Sequence, residues 1–518
     1  MGPTMHRYWF DVLVFVAFFA VTIGTSLYKS RKEESGEDFF LAGRGLLWPL
    51  IGLSLIAANI STEHFVGMSG QGAGSMGLAV ASYEWIATVT LVVVALVFLP
   101  RFLRSGIYTI PEYLEHRYNA AARAIMAFYL MIVYVAVSIS AVVYSGALTL
   151  QTLFEMDFVV AVWLIGGVAA LYTTWGGLKA VAWADLFQGT ALILGGALTL
   201  VLGLQAVGGV GSFFEANADR LHVVLPADHP TLPWTALIIG IWIPNFYYWG
   251  LNQFITQRAL AAKTLRQGQL GILFAATIKL IIPFIIIFPG IIAYQLYQAE
   301  LTAPGATTDA AYPLLIRNLI PLGLRGFIFA AISGAVISTL ASMLNSVSAI
   351  LTMDLYKRHL RPDASPRAIV TIGRAATLVF VVIVCLIAPY LGNPRFHGIF
   401  NYIQEFQGYI SPGILAAFVF GLVVRRAPPA AGVTALLLGV PIYGLLQWQL
   451  GSMAFLNRMA ISFVVVIGAM GLITAWRPLL QPKVMPVREG FDMTASPGVK
   501  WYGAVLILLT AGLYILFW

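Results

Sequence analysis

Apolar stretches long enough to cross a lipid bilayer recur along almost the whole of this chain. A hydrocarbon core about 30 Å thick requires roughly 20 mostly apolar residues per helix. By that criterion we predict about 14 transmembrane helices. They lie near residues 9–28, 45–67, 75–100, 124–150, 157–175, 180–207, 233–256, 267–298, 326–356, 368–391, 397–424, 427–447, 457–476 and 500–518. This pattern predicts an all-α polytopic membrane protein.

The composition agrees with a chain whose solvent is lipid. Only 10% of the 518 residues are charged and 59% are hydrophobic, whereas a soluble protein carries about 25% charged residues. So little charge cannot cover a water-facing surface, and we therefore expect the net charge of +8 to reflect topology and no nucleic-acid partner. Metal-ligand spacings, phosphate loops and arrangements of a catalytic nucleophile are missing from the sequence, so we expect a transporter and not an enzyme.

The positions of the 30 Lys and Arg residues predict the topology. If the N-terminus is outside, most of them fall on the cytoplasmic side, as the positive-inside rule requires. Arg258 then counts as cytoplasmic, and Lys279 lies within a span. The outer side receives Arg7, Arg220, Arg317, Arg325, Arg395 and Arg458. We therefore expect a bacterial-type inner (plasma) membrane protein with both termini on the outer side, and the composition is compatible with a monomer.

Two of the predicted spans are interrupted. The second loses its apolar character near residues 57–61, and the seventh contains Pro244, which removes one helical hydrogen bond. The two spans are five apart, and interrupted spans at corresponding places in two halves indicate an inverted repeat with a binding site at the breaks. Ordinary kinked helices are the alternative.

Polar side chains inside the spans are candidates for function because they are costly in hydrocarbon. They are Asn59, Glu63, His64, Glu84, Asp185, Asn245, Lys279, Gln404 and Glu405. Carboxylate, amide and imidazole groups bond sugar hydroxyls, and aromatic rings cover the apolar face of a sugar. Apolar contacts for such a ring are available from Met68, Tyr83, Tyr248, Trp249 and Phe400.

Three of these side chains also have a purely structural interpretation. Glu84 and Lys279 either form a buried ion pair that locks two helices or contact the sugar directly. His64 is a satisfied core histidine, a ligand or a member of a proton relay. The residues themselves leave these alternatives open.

One face of the ninth span offers oxygen ligands for a cation. Ala335, Ser338 and Thr339 are spaced i, i+3 and i+4 and therefore share a helix face. Their oxygens, with carbonyls released at Ala57 and Ile60 in the broken second span, would suit a hard cation such as Na⁺. Helix packing or bonding to the preceding turn is the alternative role of the two hydroxyls.

The segments that carry these residues resemble the sodium/solute symporter family, in particular its bacterial sodium/galactose and mammalian sodium/glucose members. The similar segments are residues 57–70, 81–85, 175–188, 245–263, 338–346 and 402–413. They extend over nearly the whole chain in family order, and residues 245–263 are highly specific. The resemblance implies a LeuT-type core of two inverted five-helix repeats.

The same resemblance implies a division of the chain and a site. Residues 1–40 would hold an extra helix, 41–210 and 211–424 the two repeats, and 425–518 three terminal spans. The implied sugar site consists of Asn59, His64, Met68, Tyr83, Glu84, Asn245, Tyr248, Lys279, Phe400 and Gln404, with Tyr248 closing its inner exit. The implied sodium ligands are the carbonyls of Ala57, Ile60 and Ala335 and the hydroxyls of Ser338 and Thr339, with Asp185 on the sodium exit route.

The expected function is sodium-coupled symport of a hexose into the cell by alternating access. Two departures from the bacterial galactose members leave glucose, galactose and other hexoses open: His64 replaces a glutamine, and Ala87 replaces a serine. A second sodium site would need a hydroxyl at Ala341, so we expect one Na⁺ per sugar. The alternatives are a carrier of sialic acid, inositol or an amino acid, a sugar sensor, and a passive channel.

Overall fold

The computed structural model describes residues 9–29, 41–61, 63–175, 178–321, 324–392 and 399–518. Over these residues the regular structure is helical, and the only extended pairing is an isolated bridge between Leu46 and Ala262. The predicted all-α class is therefore confirmed.

Two helices of the first half begin at recognisable sequence signals. Asn119 caps one of them, since its side chain accepts a hydrogen bond from the Ala122 amide at 3.0 Å, and Pro111 occupies the first turn of another. In chain order they are α1 (Trp9–Lys29), α2 (Trp48–Asn59), α3 (His64–Ala73), α4 (Gly77–Ser105), α5 (Ile110–Arg117), α6 (Ala120–Gln151), α7 (Phe158–Trp175), α8 (Leu178–Ala206) and α9 (Val210–Ala216).

The second half follows the same logic. Thr264 and Ser365 cap two of its helices by accepting backbone hydrogen bonds at 3.2 and 3.3 Å. Its helices are α10 (Trp234–Ile238), α11 (Trp242–Phe246), α12 (Gln253–Leu260), α13 (Leu265–Leu301), α14 (Ala311–Leu319), α15 (Leu324–Leu360), α16 (Pro366–Gly392), α17 (Ile399–Val423), α18 (Pro429–Gln449), α19 (Phe455–Trp476) and α20 (Val499–Leu516).

Within the described residues, 10 helices are long and apolar enough to cross a membrane, and the bent pair α2–α3 makes up to 11. Two further helices, α1 and α7, contain shorter apolar stretches, Leu13–Ser26 and Phe158–Leu171. The predicted seventh span is divided among α10, α11, a wide turn at Tyr247–Leu251 and α12. Helical structure thus occurs at each predicted span, while the count of 14 and the proposed domain boundaries stay predictions.

Both interruptions expected from the sequence are present. Helices α2 and α3 form an angle of 56°, and Ile60 between them is extended, with φ −78° and ψ 96°. In the seventh region Asn252 is extended, with φ −82° and ψ 122°. Backbone polar groups are thereby released from helical bonding at two places, as in transporters whose binding site lies at broken helices.

Close helix packing holds the broken helix in place. A Cβ atom on Gly290 of α13 would lie 2.1 Å from the carbonyl oxygen of Ser69 in α3, and one on Gly52 of α2 would lie 2.8 Å from that of Gly271. Glycine at these contacts lets the backbones approach, as is usual between membrane helices. Helix α13 therefore packs against both halves of the broken span.

Candidate solute and sodium sites

A central cavity lies where the broken span α2–α3 meets α4, α11 and α17. The space that no atom fills, including its open mouth, is about 530 Å³. The cavity is lined by Asn59, His64, Met68, Tyr83, Glu84, Pro244, Asn245, Tyr248, Trp249, Phe400, Ile403, Gln404 and Gln407. Nine of the ten residues in the expected sugar site are therefore brought together.

The tenth residue, Lys279, lies behind the cavity wall. Its side chain is fully buried, and its ammonium group donates hydrogen bonds to the carboxylate of Glu84 and the amide oxygen of Asn59. The nitrogen also lies 4.8 Å from the centre of the Trp249 ring. The sequence left two interpretations of Glu84 and Lys279 open. The structure contains the ion pair between them, and of the two residues only Glu84 lines the cavity.

Glu84 is the centre of this polar network. One carboxylate oxygen accepts from Lys279, and the other lies 3.4 Å from Nε2 of His64. Asn59 connects the network to the cavity's far side, because its amide nitrogen donates to the hydroxyl of Tyr248 at 3.0 Å. The groups that face the cavity are thus held in position by protein contacts, which reduces the entropy that a ligand must overcome.

Several polar atoms at the cavity have no hydrogen-bond partner among the described residues. They are Nδ1 of His64, the hydroxyl of Tyr83 and Oε1 of Gln404. Buried polar atoms are nearly always bonded, so such a cluster indicates a bound ligand or water. The cavity therefore presents donors and acceptors to a solute that carries several hydroxyl groups.

Aromatic side chains form the rest of the wall. The rings of Tyr83 and Phe400 meet edge to face at 5.0 Å between centroids. Tyr248 meets Trp249 at 5.2 Å and Phe254 at 5.6 Å in the same manner. Together with the buried thioether of Met68, these rings supply the apolar surface that the C–H face of a sugar ring requires.

Three residues of the lining were not expected from the sequence, namely Pro244, Ile403 and Gln407. Trp249 was expected as one of the apolar contacts, and it lines the cavity. Gln407 could have been predicted to line the cavity, because it lies three residues after Gln404 and therefore on the same helix face. Asn245 was expected and lines the cavity, but its amide nitrogen donates to the carbonyl of Ile241 at 3.0 Å.

The expected sodium ligands lie around the break between α2 and α3. The hydroxyl of Thr339 in α15 donates to the carbonyl of Ala58 at 3.3 Å, so this face of α15 contacts the end of α2. Ala57, Ile60 and Ala335 are also buried. Hydroxyl and carbonyl oxygens are the ligands that a hard monovalent cation prefers, and the sodium site stays a prediction.

Asp185 belongs to a second buried network next to this site. Its carboxylate accepts from the hydroxyl of Ser338, accepts from Ser54 at 2.5 Å and pairs with Arg258 at 3.0 Å. Arg258 also donates to the hydroxyl of Ser342 at 2.5 Å. Arg258 was counted among the cytoplasmic cations, and that topology stays a prediction; its side chain is fully buried, with Asp185 as its partner inside the protein.

The chain matches the sodium:solute symporter family over residues 39–439. It belongs to that family. It is 39% identical to the sodium/glucose cotransporter of Vibrio parahaemolyticus over 98% of each chain. It is 33% identical to the sodium/myo-inositol cotransporter 2 of Oryctolagus cuniculus over 83% of this chain and 68% of that protein.

Family membership establishes the general function of the protein, though not its solute. The protein is a sodium-coupled solute symporter, a multi-pass membrane transporter and not an enzyme, and Na⁺ is its coupling ion. A solved structure of a Na⁺-coupled sialic acid symporter matches 92% of this chain with a TM-score of 0.81 at 24% identity. The predicted LeuT-type fold is thereby confirmed.

Proposed function

We propose that this symporter carries a hexose, glucose or galactose, into the cell with one Na⁺ per sugar. The observation that carries the proposal is the central cavity, where a carboxylate, a histidine and amides face aromatic rings. Unpartnered polar atoms on His64, Tyr83 and Gln404 suit a ligand with many hydroxyls and few charges. The 39% identity to a sodium/glucose cotransporter supports the same substrate class.

In this proposal the solute lies against Glu84, His64, Asn59 and Gln404 and stacks on Tyr248. Lys279 holds the carboxylate of Glu84 and the amide of Asn59 without touching the solute. Tyr248 closes the inner end of the cavity, and its bond to Asn59 is the contact that must break for release.

Sodium binds between α2 and α15 in this proposal. Its ligands are the carbonyls of Ala57, Ile60 and Ala335 and the hydroxyls of Ser338 and Thr339, and Asp185 receives the ion on its way inwards. The ion joins α15 to the broken helix that carries Asn59 and His64, so its binding favours the conformation that accepts the solute. Coupling of this kind is a differential affinity between two states.

The energetics permit strong accumulation. One Na⁺ that crosses 100 mV contributes about 2.3 kcal/mol, and a tenfold sodium gradient adds about 1.4 kcal/mol. The sum corresponds to an accumulation of roughly several hundredfold for one sugar per ion.

A second candidate substrate is myo-inositol. It is a six-membered ring with a hydroxyl on every carbon, and the chain is 33% identical to a sodium/myo-inositol cotransporter. The same polar groups would bond it, so the cavity chemistry does not separate the two polyols. An amino acid fits less well, because its carboxylate would face Glu84.

Uptake into proteoliposomes tests the proposal. Radiolabelled glucose, galactose and myo-inositol are supplied with an inward Na⁺ gradient, or with K⁺ in its place. We expect sodium-dependent accumulation of a hexose above equilibrium. Accumulation of myo-inositol alone would identify myo-inositol as the substrate. If neither a hexose nor myo-inositol is taken up in a sodium-dependent manner, both proposed substrates are wrong.

A further inference from the structure

A second cavity lies at one end of the helix bundle and shares no lining residue with the central cavity. Its walls are the last turn of α4, helix α5, the end of α17 and residues 482–487. The space that no atom fills, including its opening, is about 1080 Å³. Its charged lining residues are Arg101, Arg104, Arg117, Arg425 and Lys483. We call it the basic cavity.

Every charged side chain that lines the basic cavity is cationic. Within the described part of the chain, Arg101, Arg104, Arg425 and Lys483 form no ion pair with an acidic side chain within 4.0 Å. Uncompensated cations around one concave space raise the local positive potential. The basic cavity is therefore suited to an anion.

The remaining cation, Arg117, organises the floor of the cavity. It is 3% exposed, and its guanidinium donates to the carbonyls of Gly421, Val424 and Ala427 at 2.8, 2.6 and 3.2 Å. These bonds satisfy the carboxyl end of α17 without supplying a carboxylate. The positive charge of Arg117 therefore stays uncancelled by any anion at the floor.

The walls are held together before any ligand binds. The amide of Lys483 donates to the carbonyl of Arg425 at 3.0 Å, and the amide of Arg488 donates to that of Arg104 at 2.7 Å. The segment after α19 is thus attached both to α4 and to the residues after α17. A preformed site binds its ligand without first ordering a loop.

The basic cavity lies at the level where membrane helices end. Helices α4, α17 and α19 end nearby at Ser105, Val423 and Trp476. Large apolar side chains around it are exposed: Val423 by 75%, Trp476 by 76% and Val484 by 83%. Tryptophan and exposed aliphatic side chains at a helix end are typical of the interface between hydrocarbon and lipid headgroups.

We propose that the basic cavity binds the headgroup of an anionic phospholipid. Arg101, Arg104 and Lys483 would contact its phosphate, since the planar guanidinium group forms paired hydrogen bonds with phosphate oxygens. Its acyl chains would lie along Val423 and Val484. The expected positive-inside topology places the basic cavity in the cytoplasmic leaflet, where basic pockets between membrane helices are known to hold anionic lipids.

Native mass spectrometry of the purified full-length protein in a neutral detergent tests this site. Phosphatidylglycerol and phosphatidylcholine with the same acyl chains are added in turn. We expect one saturable phosphatidylglycerol adduct, and weaker binding in the variant Arg101→Gln/Arg104→Gln/Lys483→Gln. The affinity for phosphatidylglycerol should fall about fivefold for each cation removed, or on the order of a hundredfold in total.

A matched control removes the same charge elsewhere. Arg361, Arg367 and Arg374 are exposed, lie on the same predicted side and do not line the basic cavity. Their triple replacement by Gln should leave the adduct unchanged, and Arg101→Lys/Arg104→Lys should retain most of it. If the pocket triple variant does not fold, the exposed Lys483→Gln alone should weaken binding about fivefold.

Three results would overturn the proposal. They are equal binding of phosphatidylcholine, unchanged phosphatidylglycerol binding in the cavity variants, and equal loss in the control variant. Competition with glycerol 3-phosphate distinguishes a lipid ligand from a soluble phosphate. If it displaces phosphatidylglycerol at the same concentration as the intact lipid does, the ligand is a soluble phosphate and the lipid assignment is wrong.

Discussion

Two of the buried ion pairs in the described structure, Glu84–Lys279 and Asp185–Arg258, have different surroundings. Glu84, paired with Lys279, lines the central cavity. Asp185, paired with Arg258, lines neither the central nor the basic cavity. Both pairs are costly to place in a membrane protein, so each needs a separate explanation.

The polar atoms around the two pairs explain the difference. Near Glu84, the atoms Nδ1 of His64 and Oε1 of Gln404 have no partner in the described structure. Near Asp185, by contrast, both carboxylate oxygens are bonded and Arg258 donates to several groups, which include Ser54 at 2.6 Å and Ser342 at 2.5 Å. An unsaturated network can receive a ligand directly, whereas an ion that passes Asp185 must displace bonds that already hold helices together.

The largest expected effect is a difference in stability between variants of the two ion pairs. Arg258→Met leaves Asp185 charged at a buried position that lines neither the central nor the basic cavity, and we expect a loss of about 3–5 kcal/mol in the free energy of unfolding. Lys279→Met should cost less, because Glu84 faces a cavity that admits water. Thermal unfolding in detergent measures both.

A double variant provides the control for this result. Asp185→Asn combined with Arg258→Met removes both charges and should recover part of the lost stability. Equal destabilisation by Arg258→Met and Lys279→Met would contradict the distinction between a saturated and an unsaturated pair.

Glu84→Gln should weaken solute binding by about 10–100-fold, since a hydrogen bond to a charged group contributes roughly 1.5–3 kcal/mol. Sodium binding should persist, because the proposed sodium ligands lie on α2 and α15. Equilibrium binding of labelled sugar at saturating Na⁺ measures the effect. Glu300→Gln, on an exposed turn of α13, is the matched control. Unchanged sugar affinity in Glu84→Gln would remove this carboxylate from the solute site.

Asp309 extends the comparison to a buried carboxylate that has no cation in contact among the described residues. It lies in the loop before α14, where Oδ2 accepts from the amide of Ile399 at 3.2 Å. Burial raises its pKa from 3.8 to about 7. Between these values the folded protein binds more protons than the unfolded chain, so stability falls as pH rises through the window.

The pH effect should amount to about 2 kcal/mol between pH 5.5 and pH 7, at roughly 1.36 kcal/mol per unit. Unfolding of the wild-type protein should therefore require more denaturant at pH 5.5 than at pH 7. Asp309→Asn should show a much flatter profile over the same range. Identical profiles for the two proteins would show that another group controls the pH dependence.

Gln404→Ala should lower solute affinity by about three- to tenfold, because a neutral hydrogen bond contributes roughly 0.5–1.5 kcal/mol. Its Oε1 atom has no protein partner in the described structure, so the loss should appear in binding and not in stability. Gln298→Ala, on an exposed position of α13, is the control. A loss of stability without a change in affinity would identify Gln404 as structural.

The smallest effect is expected at the proposed sodium site. Thr339→Ala removes one neutral oxygen near the end of α2, so the Na⁺ concentration for half-maximal uptake should rise a few-fold, by roughly 1 kcal/mol. Sugar affinity at saturating Na⁺ should stay unchanged, and Thr339→Ser should behave like the wild-type protein. An unaltered sodium requirement in Thr339→Ala would exclude its hydroxyl as a ligand.

Much of the architecture was readable from the sequence because it depends on local properties. Apolar length alone predicts where helices cross lipid, and the predicted spans correspond to helical regions of the structure. The interruptions near Ile60 and Pro244 were visible as breaks in apolar runs. The candidate lining of the central cavity was also readable, since polar residues stand out against apolar spans.

Only the tertiary structure decided which polar groups meet one another and which face a cavity. Glu84 and Lys279 are 195 residues apart, and Asp185 and Arg258 are 73 apart. Local composition indicated that Lys279 lies within a span but not that it lies behind Glu84, and it did not indicate that Arg258 is fully buried. The physical reason is that a helix's apolarity is a property of its own residues, whereas the partner of a buried charge depends on how remote helices are rotated and docked.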